Sequence, residues 1–114
     1  MTSGDPLRDL AESTRAFYER FGVTPELQSC LTNFNEEVFE LVQAAMDGEN
    51  KQHIAEEAAD VFVTAIGVCM ASGISIEALV EQVYAVAAKN DAKTHETHVF
   101  KDGKIRRRVN VRRD

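Results

Sequence analysis

Glu36, Glu37 and Glu40 form one acidic cluster, and Glu57 and Asp60 form a second with Glu56 beside them. Sixteen residues separate Glu40 from Glu57. Both clusters lie in otherwise apolar stretches of strong helical character. Carboxylates in such surroundings cost free energy unless they are paired, neutralised or bound to metal. Few Lys or Arg residues lie nearby to pair them. The chemistry this implies is the binding of a hard cation, and oxygen-only ligands suit Mg²⁺ or Mn²⁺ better than zinc or copper.

The elements that must position these acids are helices. Asp5 and Pro6 read as the cap and first position of a helix running to about Phe21, where Gly22 ends it. Thr24 and Pro25 start a second helix that runs to about Asp47 and stops at Gly48. Its apolar positions, Leu27, Leu31, Phe34, Val38, Leu41 and Ala45, alternate steps of four and three along one face. A third helix runs from about Asn50 to Ser72. Its later half is apolar nearly all round, which implies burial on several sides. Ser75 caps a fourth helix carrying Ile76, Leu79, Val80, Val83, Val86 and Ala87. Beyond it, Val99 to Ile105 reads as a short hairpin about the turn Asp102-Gly103. Such a hairpin is marginal by itself and is expected to pack on the body or on a partner subunit. Arg106 to Asp114 is expected to be a mobile end.

Glu36 and Glu40 are four residues apart, and Glu37 and Glu40 are three apart, so the three crowd one sector of a helix. Glu57 and Asp60 repeat the three-residue spacing. The connection between Met46 and Lys51 is short, which makes the second and third helices antiparallel neighbours. Glu40 lies about eight residues before the midpoint of that turn and Glu57 about eight after it, so at about 1.5 Å per residue both fall at one height. Any one Glu is ordinarily a solvated surface residue. The matched set is different. Glu37 sits beside Val38 and three residues after Phe34, and Asp60 abuts Val61 and Phe62, which puts the acids at the edge of the apolar stripe. Glu56 lies one step, about 100°, around the helix from Glu57, so spacing leaves open which of the two faces the cluster.

Composition bounds the rest. A chain of 114 residues is read as one domain, and its 44% apolar content is ordinary for a globular protein. The net charge is −6. Residues 101–114 carry seven Lys or Arg and two Asp, while residues 1–100 carry six Lys or Arg and seventeen Asp or Glu. An acidic body argues against binding a nucleic-acid polymer. Cys30 and Cys69 sit in apolar helical contexts and read as reduced, buried thiols. No apolar run is long enough to span a bilayer, and no signal-like segment is recognisable, so the expected location is the cytoplasm. There is no Gly-rich phosphate loop, and no Glu-x-x-His pair of the kind that builds a di-iron bundle.

The pattern Glu36-Glu37-Val38-Phe39-Glu40 followed by Glu57-Ala58-Ala59-Asp60 resembles the all-α nucleoside triphosphate pyrophosphohydrolases. That superfamily includes MazG, the dimeric dUTPases and phosphoribosyl-ATP pyrophosphohydrolase. The resemblance covers about residues 25–95, and Lys89-Asn90-Asp91-Ala92-Lys93 is similar to a third motif these proteins carry after the acids. It implies an all-α, four-helix bundle-type MazG-like fold with a short C-terminal hairpin, assembled as a homodimer or homotetramer. It implies an enzyme that splits a nucleoside triphosphate between the α and β phosphates, giving a monophosphate and pyrophosphate. By the same resemblance Glu37, Glu40, Glu57 and Asp60 hold Mg²⁺, with Mn²⁺ as a possible substitute, and Glu36 orients or deprotonates the attacking water.

Three further residues are candidates for contact with the nucleotide. Asn90 continues the apolar stripe of the fourth helix and should point inward, as a satisfied core Asn or as a hydrogen-bonding group for base, sugar or phosphate. Lys93, one turn on, suits a phosphate as a point charge. Asn33 lies one turn before Glu36 and Glu37. His53, four residues before Glu57, is read as a surface histidine, with a supporting role to the acids as the alternative. His95 and His98 have no Cys or third His to complete a transition-metal site. The expected role is clearance of noncanonical or excess nucleotides. The alternatives are the phosphoribosyl-ATP step of histidine biosynthesis, or a helical binding or regulatory protein without catalysis.

Overall fold

The computed structural model describes residues 4–109. The described chain has four helices, α1 (Pro6–Arg20), α2 (Leu27–Met46), α3 (Lys51–Ala71) and α4 (Ile76–Asp91), followed by β1 (His98–Lys101) and β2 (Lys104–Arg107). This is the expected all-α architecture with a hairpin tail. The caps at Asp5 and Ser75 are the predicted ones, and Asn50 caps α3 where the third helix was expected to start. The Asp5 carboxylate accepts from the Arg8 amide at 3.1 Å, Asn50 Oδ1 from the His53 amide at 2.8 Å, and Ser75 Oγ from the Ala78 amide at 3.1 Å. Each side chain satisfies a donor that the first helical turn leaves without an intrahelical partner. One boundary differs. α2 begins at Leu27 rather than at Thr24-Pro25, and its N-cap position, Glu26, makes no side-chain cap bond. The Glu26 side chain instead accepts from Ser29 Oγ at 2.9 Å.

The chain forms two compact units, Met1–Val80 and Glu81–Asp114. In the first, α2 and α3 make the principal helix pair and α1 packs more lightly on α3. The turn between α2 and α3 fixes their register. Gly48, at φ +67°, donates to the Ala45 carbonyl, and the Glu49 amide donates to that of Ala44. That is a Schellman ending, which needs a left-handed residue where Gly stands. The three helices meet at Gly67. A Cβ there would lie 2.9 Å from the Tyr18 hydroxyl of α1 and 3.7 Å from Cys30 Sγ of α2. Arg8 and Glu77 form an ion pair. Cys30 and Cys69 are both free thiols, Cys30 buried and Cys69 half-buried.

The core is thin. Ala11, Cys30, Ala44, Ile66 and Val80 are its buried apolar residues, and no large side chain among the described residues is wholly buried. Burial of α3 on several sides is not what the single chain shows, since Phe62 is 56% exposed. Phe39 and Met46 on α2 are 62% and 79% exposed.

In the second unit the end of α4 leads through a turn into the hairpin. His98 pairs with Arg107, Val99 with Arg106, Phe100 with Ile105 and Lys101 with Lys104. Asp102 and Gly103 both have positive φ, 55° and 77°, the requirement of a type I′ turn, which Asp-Gly meets at low steric cost. The strands reach further than the span from Val99 to Ile105. Arg106 and Arg107 are part of β2, and the Arg108 amide donates to the Thr97 carbonyl at 2.8 Å. Those residues are therefore fixed by backbone hydrogen bonds, and the remainder of the expected mobile end, residues 110–114, lies outside the described residues. The α4 stripe also differs from expectation: Val83 and Val86 are exposed, and so is Asn90. A stripe buries its side chains only where another element covers it, and periodicity alone does not supply that cover.

Candidate metal and active site

The Schellman turn at Gly48 starts α3 back along α2, and the two acidic clusters meet at the level the spacing predicts. Carboxylate oxygens of Glu37, Glu40 and Glu57 all lie within 4.8 Å of one another. Glu37 is half-buried, Glu40 is exposed, and Glu57 is only 9% exposed. Glu57 Oε2 is buried without a hydrogen-bond partner. Its Oε1 lies 3.7 Å from His53 Nε2.

The electrostatics follow from that crowding. Desolvation, and then the charges of Glu40, Asp60, Glu57 and Glu36, push the Glu37 carboxyl above the usual carboxylate range. Glu57 is raised likewise, first by desolvation and then by Glu40, with His53 opposing and Asp60 adding to the rise. Both shifts have one physical origin: water is partly excluded and like charges are close. An orphaned oxygen, three convergent carboxylates and a donor set made of oxygen alone fit a divalent cation. A cation would supply opposite charge where, among the described residues, His53 is the one ion-pair partner of Glu57.

The other predicted residues take distinct places. Asp60 is exposed and acts electrostatically on Glu37 and Glu57, but it stands outside the close trio. Glu36 is exposed and opens, with Thr32, Asn35, Phe39 and Glu40, on a shallow depression of about 640 Å³. Asn33 opens on another hollow, with Gln28, Ser29 and Thr32, so it is not grouped with Glu36. Asn90 and Lys93 belong to the second unit. There Lys93 Nζ donates to Asn90 Oδ1 at 3.3 Å, and both line a cavity with His95, His98 and the hairpin.

Glu56 and Glu57 have different surroundings. The Glu56 side chain is largely exposed and lies 3.5 Å from His53 Nδ1, while Glu57 is the member of the trio. His53, expected at the surface with a supporting role as the alternative, is 41% exposed and also stands beside the acids. Its ring lies 3.3 Å from Glu49 Oε1 in the preceding turn, and 3.5 and 3.7 Å from Glu56 and Glu57 of α3, so it stands beside three carboxylates. The sequence signal for this placement is the four-residue step from His53 to Glu57. Among the described residues His95 and His98 form no cluster of three ligands with any other metal-binding group.

Among the described residues no helix is long and apolar enough to cross a membrane. No curated protein and no solved structure matches the chain. Residues 9–87 match the family described as PRA-PH, phosphoribosyl-ATP pyrophosphohydrolase. The match spans α1, α2, α3 and most of α4, and so includes every residue of the acidic level. Members of this family act on nucleotides and are generally dependent on a divalent metal. The chain therefore belongs to the phosphoribosyl-ATP pyrophosphohydrolase family, within the MazG-like superfamily, and is a nucleotide pyrophosphohydrolase, a hydrolase acting on acid anhydrides.

Proposed function

We propose that the chain is an Mg²⁺-dependent nucleoside triphosphate pyrophosphohydrolase that cleaves between the α and β phosphates and clears unwanted nucleotides from the cytoplasmic pool. The observation that carries this reading is the buried, partnerless Glu57 Oε2 beside Glu37 and Glu40. Glu37, Glu40 and Glu57 hold the cation, and Asp60 completes the acidic field. Mn²⁺ is the natural substitute, because it too prefers oxygen ligands.

When bound, the cation neutralises phosphate oxygens and acidifies water. The protein's own contribution is positioning. Glu36 faces the depression beside Glu40, where its exposed carboxylate accepts the proton of the attacking water. His53 holds the Glu57 carboxylate in one orientation. Lys93 offers a point charge to phosphate and Asn90 a side-chain amide to the nucleotide. Asn33 lies in the neighbouring hollow of α2 and contributes contact to the substrate from there. Phosphoryl chemistry of this kind needs positioning and charge neutralisation more than covalent help.

The active form is a homodimer or homotetramer. Phe39, Val42 and Met46 on α2 and Phe62 on α3 give the single chain more exposed apolar surface than a stable monomer needs. Sedimentation of a monomer at micromolar concentration would remove this part of the reading.

A second reading is favoured by the family match: the substrate is phosphoribosyl-ATP, and the product is its monophosphate counterpart. Both readings meet one assay. Pyrophosphate release is measured with Mg²⁺ and again with EDTA over dUTP, dCTP, the four ribonucleoside triphosphates, oxidised purine nucleotides and phosphoribosyl-ATP. Metal-dependent release from one or a few members establishes the activity and its substrate together. Silence on every member overturns the proposal and returns weight to a binding or regulatory role.

A further inference from the structure

α1 and α3 end alike. The Val23 amide donates to the Tyr18 carbonyl at 2.9 Å, and the Ile74 amide donates to the Cys69 carbonyl at 2.9 Å. Each is the six-to-one bond of a Schellman ending, which turns the chain and sets an apolar residue just beyond the helix. Between these two endings and the start of α4 lies a cavity of about 420 Å³, all of it within the first compact unit. Arg15, Glu19, Val23, Met70, Ile74 and Ile76 stand on its wall. None of them has a part in the acidic level or in the proposed nucleotide contacts. The volume is that of a small-molecule site.

The wall has an apolar part and two opposite charges. In a Schellman ending the apolar residue beyond the glycine commonly packs on its own helix. Here Val23 is 50% exposed and Ile74 is 43% exposed, and both line the cavity. Met70 and Ile76, each half-buried, extend that apolar surface. Arg15 and Glu19 are four residues apart on α1, so they are neighbours on its surface, about 5–6 Å apart at Cβ. They do not pair: neither joins an ion pair or a side-chain hydrogen bond among the described residues. Their order disfavours the pair, because a helix prefers the acid before the base at this spacing, and here the base comes first. Each charged head is therefore open to a ligand. Glu19 also stands in the last turn of α1, where the carbonyl end of the helix adds to its attraction for a cation.

A guanidinium and a carboxylate one helical turn apart, beside an apolar wall, describe a small zwitterion with an apolar side chain. We infer that this cavity binds a free aliphatic α-amino acid, with its carboxylate on Arg15, its ammonium on Glu19 and its side chain against Val23, Met70 and Ile74. A singly charged ligand would leave one of the two heads unanswered. Glycine would answer both heads and leave the apolar wall open.

The test uses the full chain, titrated with leucine and followed by amide shifts in NMR. The controls are glycine, which lacks the side chain, 4-methylpentanoate, which lacks the ammonium, and 3-methylbutylamine, which lacks the carboxylate. Leucine should move amides of residues 15–25 and 70–76 and saturate by about 10 mM, the scale open to a ligand of so few atoms. Glycine should bind about tenfold more weakly, and each singly charged analogue about threefold or more. Arg15→Gln should weaken leucine about threefold or more and leave 3-methylbutylamine unchanged. Glu19→Gln should weaken leucine likewise and leave 4-methylpentanoate unchanged. Both side chains are exposed, so neither variant should disturb the fold. No saturation by about 10 mM, movement confined to other residues, glycine bound as well as leucine, or leucine binding unchanged by either variant would each overturn the inference. Uniform weakening of every probe by a variant would overturn it too, because a residue that only shapes the cavity affects all probes alike.

Discussion

On α2 and α3 three carboxylates are crowded together, and the one ion-pair partner of Glu57 among the described residues is His53. At the end of α4 the opposite holds: a lysine paired with Asn90, a histidine paired with Thr97 and an open aromatic ring share a cavity. The first region stores repulsion that a cation would relieve. The second stores none. Metal binding should therefore stabilise the fold, in proportion to the occupancy of the acidic level. The largest effects should come from disturbing the acidic level.

Glu40→Gln is the sharpest way to break that contrast. It removes a ligand charge from the trio and should lower turnover by about a hundredfold or more, the scale of losing one strong electrostatic contact to a transition state. Normal activity would sink the metal assignment. Glu36→Gln tests a different claim. It should keep metal affinity, measured by calorimetry, yet lose roughly 10²–10⁴ in rate, as removal of a general base does. An unchanged rate would remove Glu36 from that role.

Stability reports metal binding through its linkage to folding. Saturating Mg²⁺, at about a hundred times its dissociation constant, should stabilise the fold by about 2.7 kcal/mol, a rise in melting temperature on the order of 10 °C. Without metal, the signs run the other way. The folded pKa values of Glu37 and Glu57 are raised, so their ionisation is resisted by the fold. Their contribution is at its most favourable below the unfolded carboxylate range and is lost as pH rises through the folded values. The metal-free protein should thus lose stability as pH rises above about 4.5, and Mg²⁺ should reverse the trend. Glu57→Gln should raise the melting temperature of the metal-free chain near neutrality and abolish most of the gain from Mg²⁺. A metal-free variant no more stable than its parent would show that the orphaned oxygen carries no cost.

The same contrast explains what was legible in the residues. Asp5, Asn50 and Ser75 announce helix starts because a short polar side chain beside an apolar periodic run can satisfy an amide locally. Asp102-Gly103 announces its turn because few other pairs tolerate two positive φ values. The meeting of Glu40 with Glu57 was legible because a helix has a fixed rise and the intervening turn is short. What depended on partners across space was not. Nothing in α4 says whether its stripe will be covered, and Val83, Val86 and Asn90 are exposed. His53 gave only a four-residue step. The cavity at the hairpin depends on the path of Thr94 to Thr97, where Thr97 Oγ1 bonds both the Thr94 backbone and the ring of His98. No periodicity encodes such a turn.

His53→Ala refines the acidic side of the comparison. The ring touches Glu57 but not Glu37 or Glu40, so its loss should loosen one carboxylate and leave the others in place. The expected cost is about tenfold in Mg²⁺ affinity, the low end for a group that supports a metal ligand. The rate at saturating Mg²⁺ should be nearly unchanged, which separates positioning from chemistry. A rate that stays low at any Mg²⁺ concentration would place His53 in the reaction itself.

The smallest expected effect lies at the other region. Gly103 has φ +77°, and an L side chain in that conformation costs about 1–2 kcal/mol. Gly103→Ala should therefore open the hairpin about fivefold or more relative to the parent, read as faster hydrogen exchange of the amides of β1 and β2. Exchange in α2 and α3 should hold, because those helices belong to the other compact unit. The Mg²⁺-induced rise in melting temperature should hold for the same reason. If Gly103→Ala instead weakened the Mg²⁺ response, the two regions would be energetically one, and the contrast between a strained acidic level and a relaxed cavity would have to be given up.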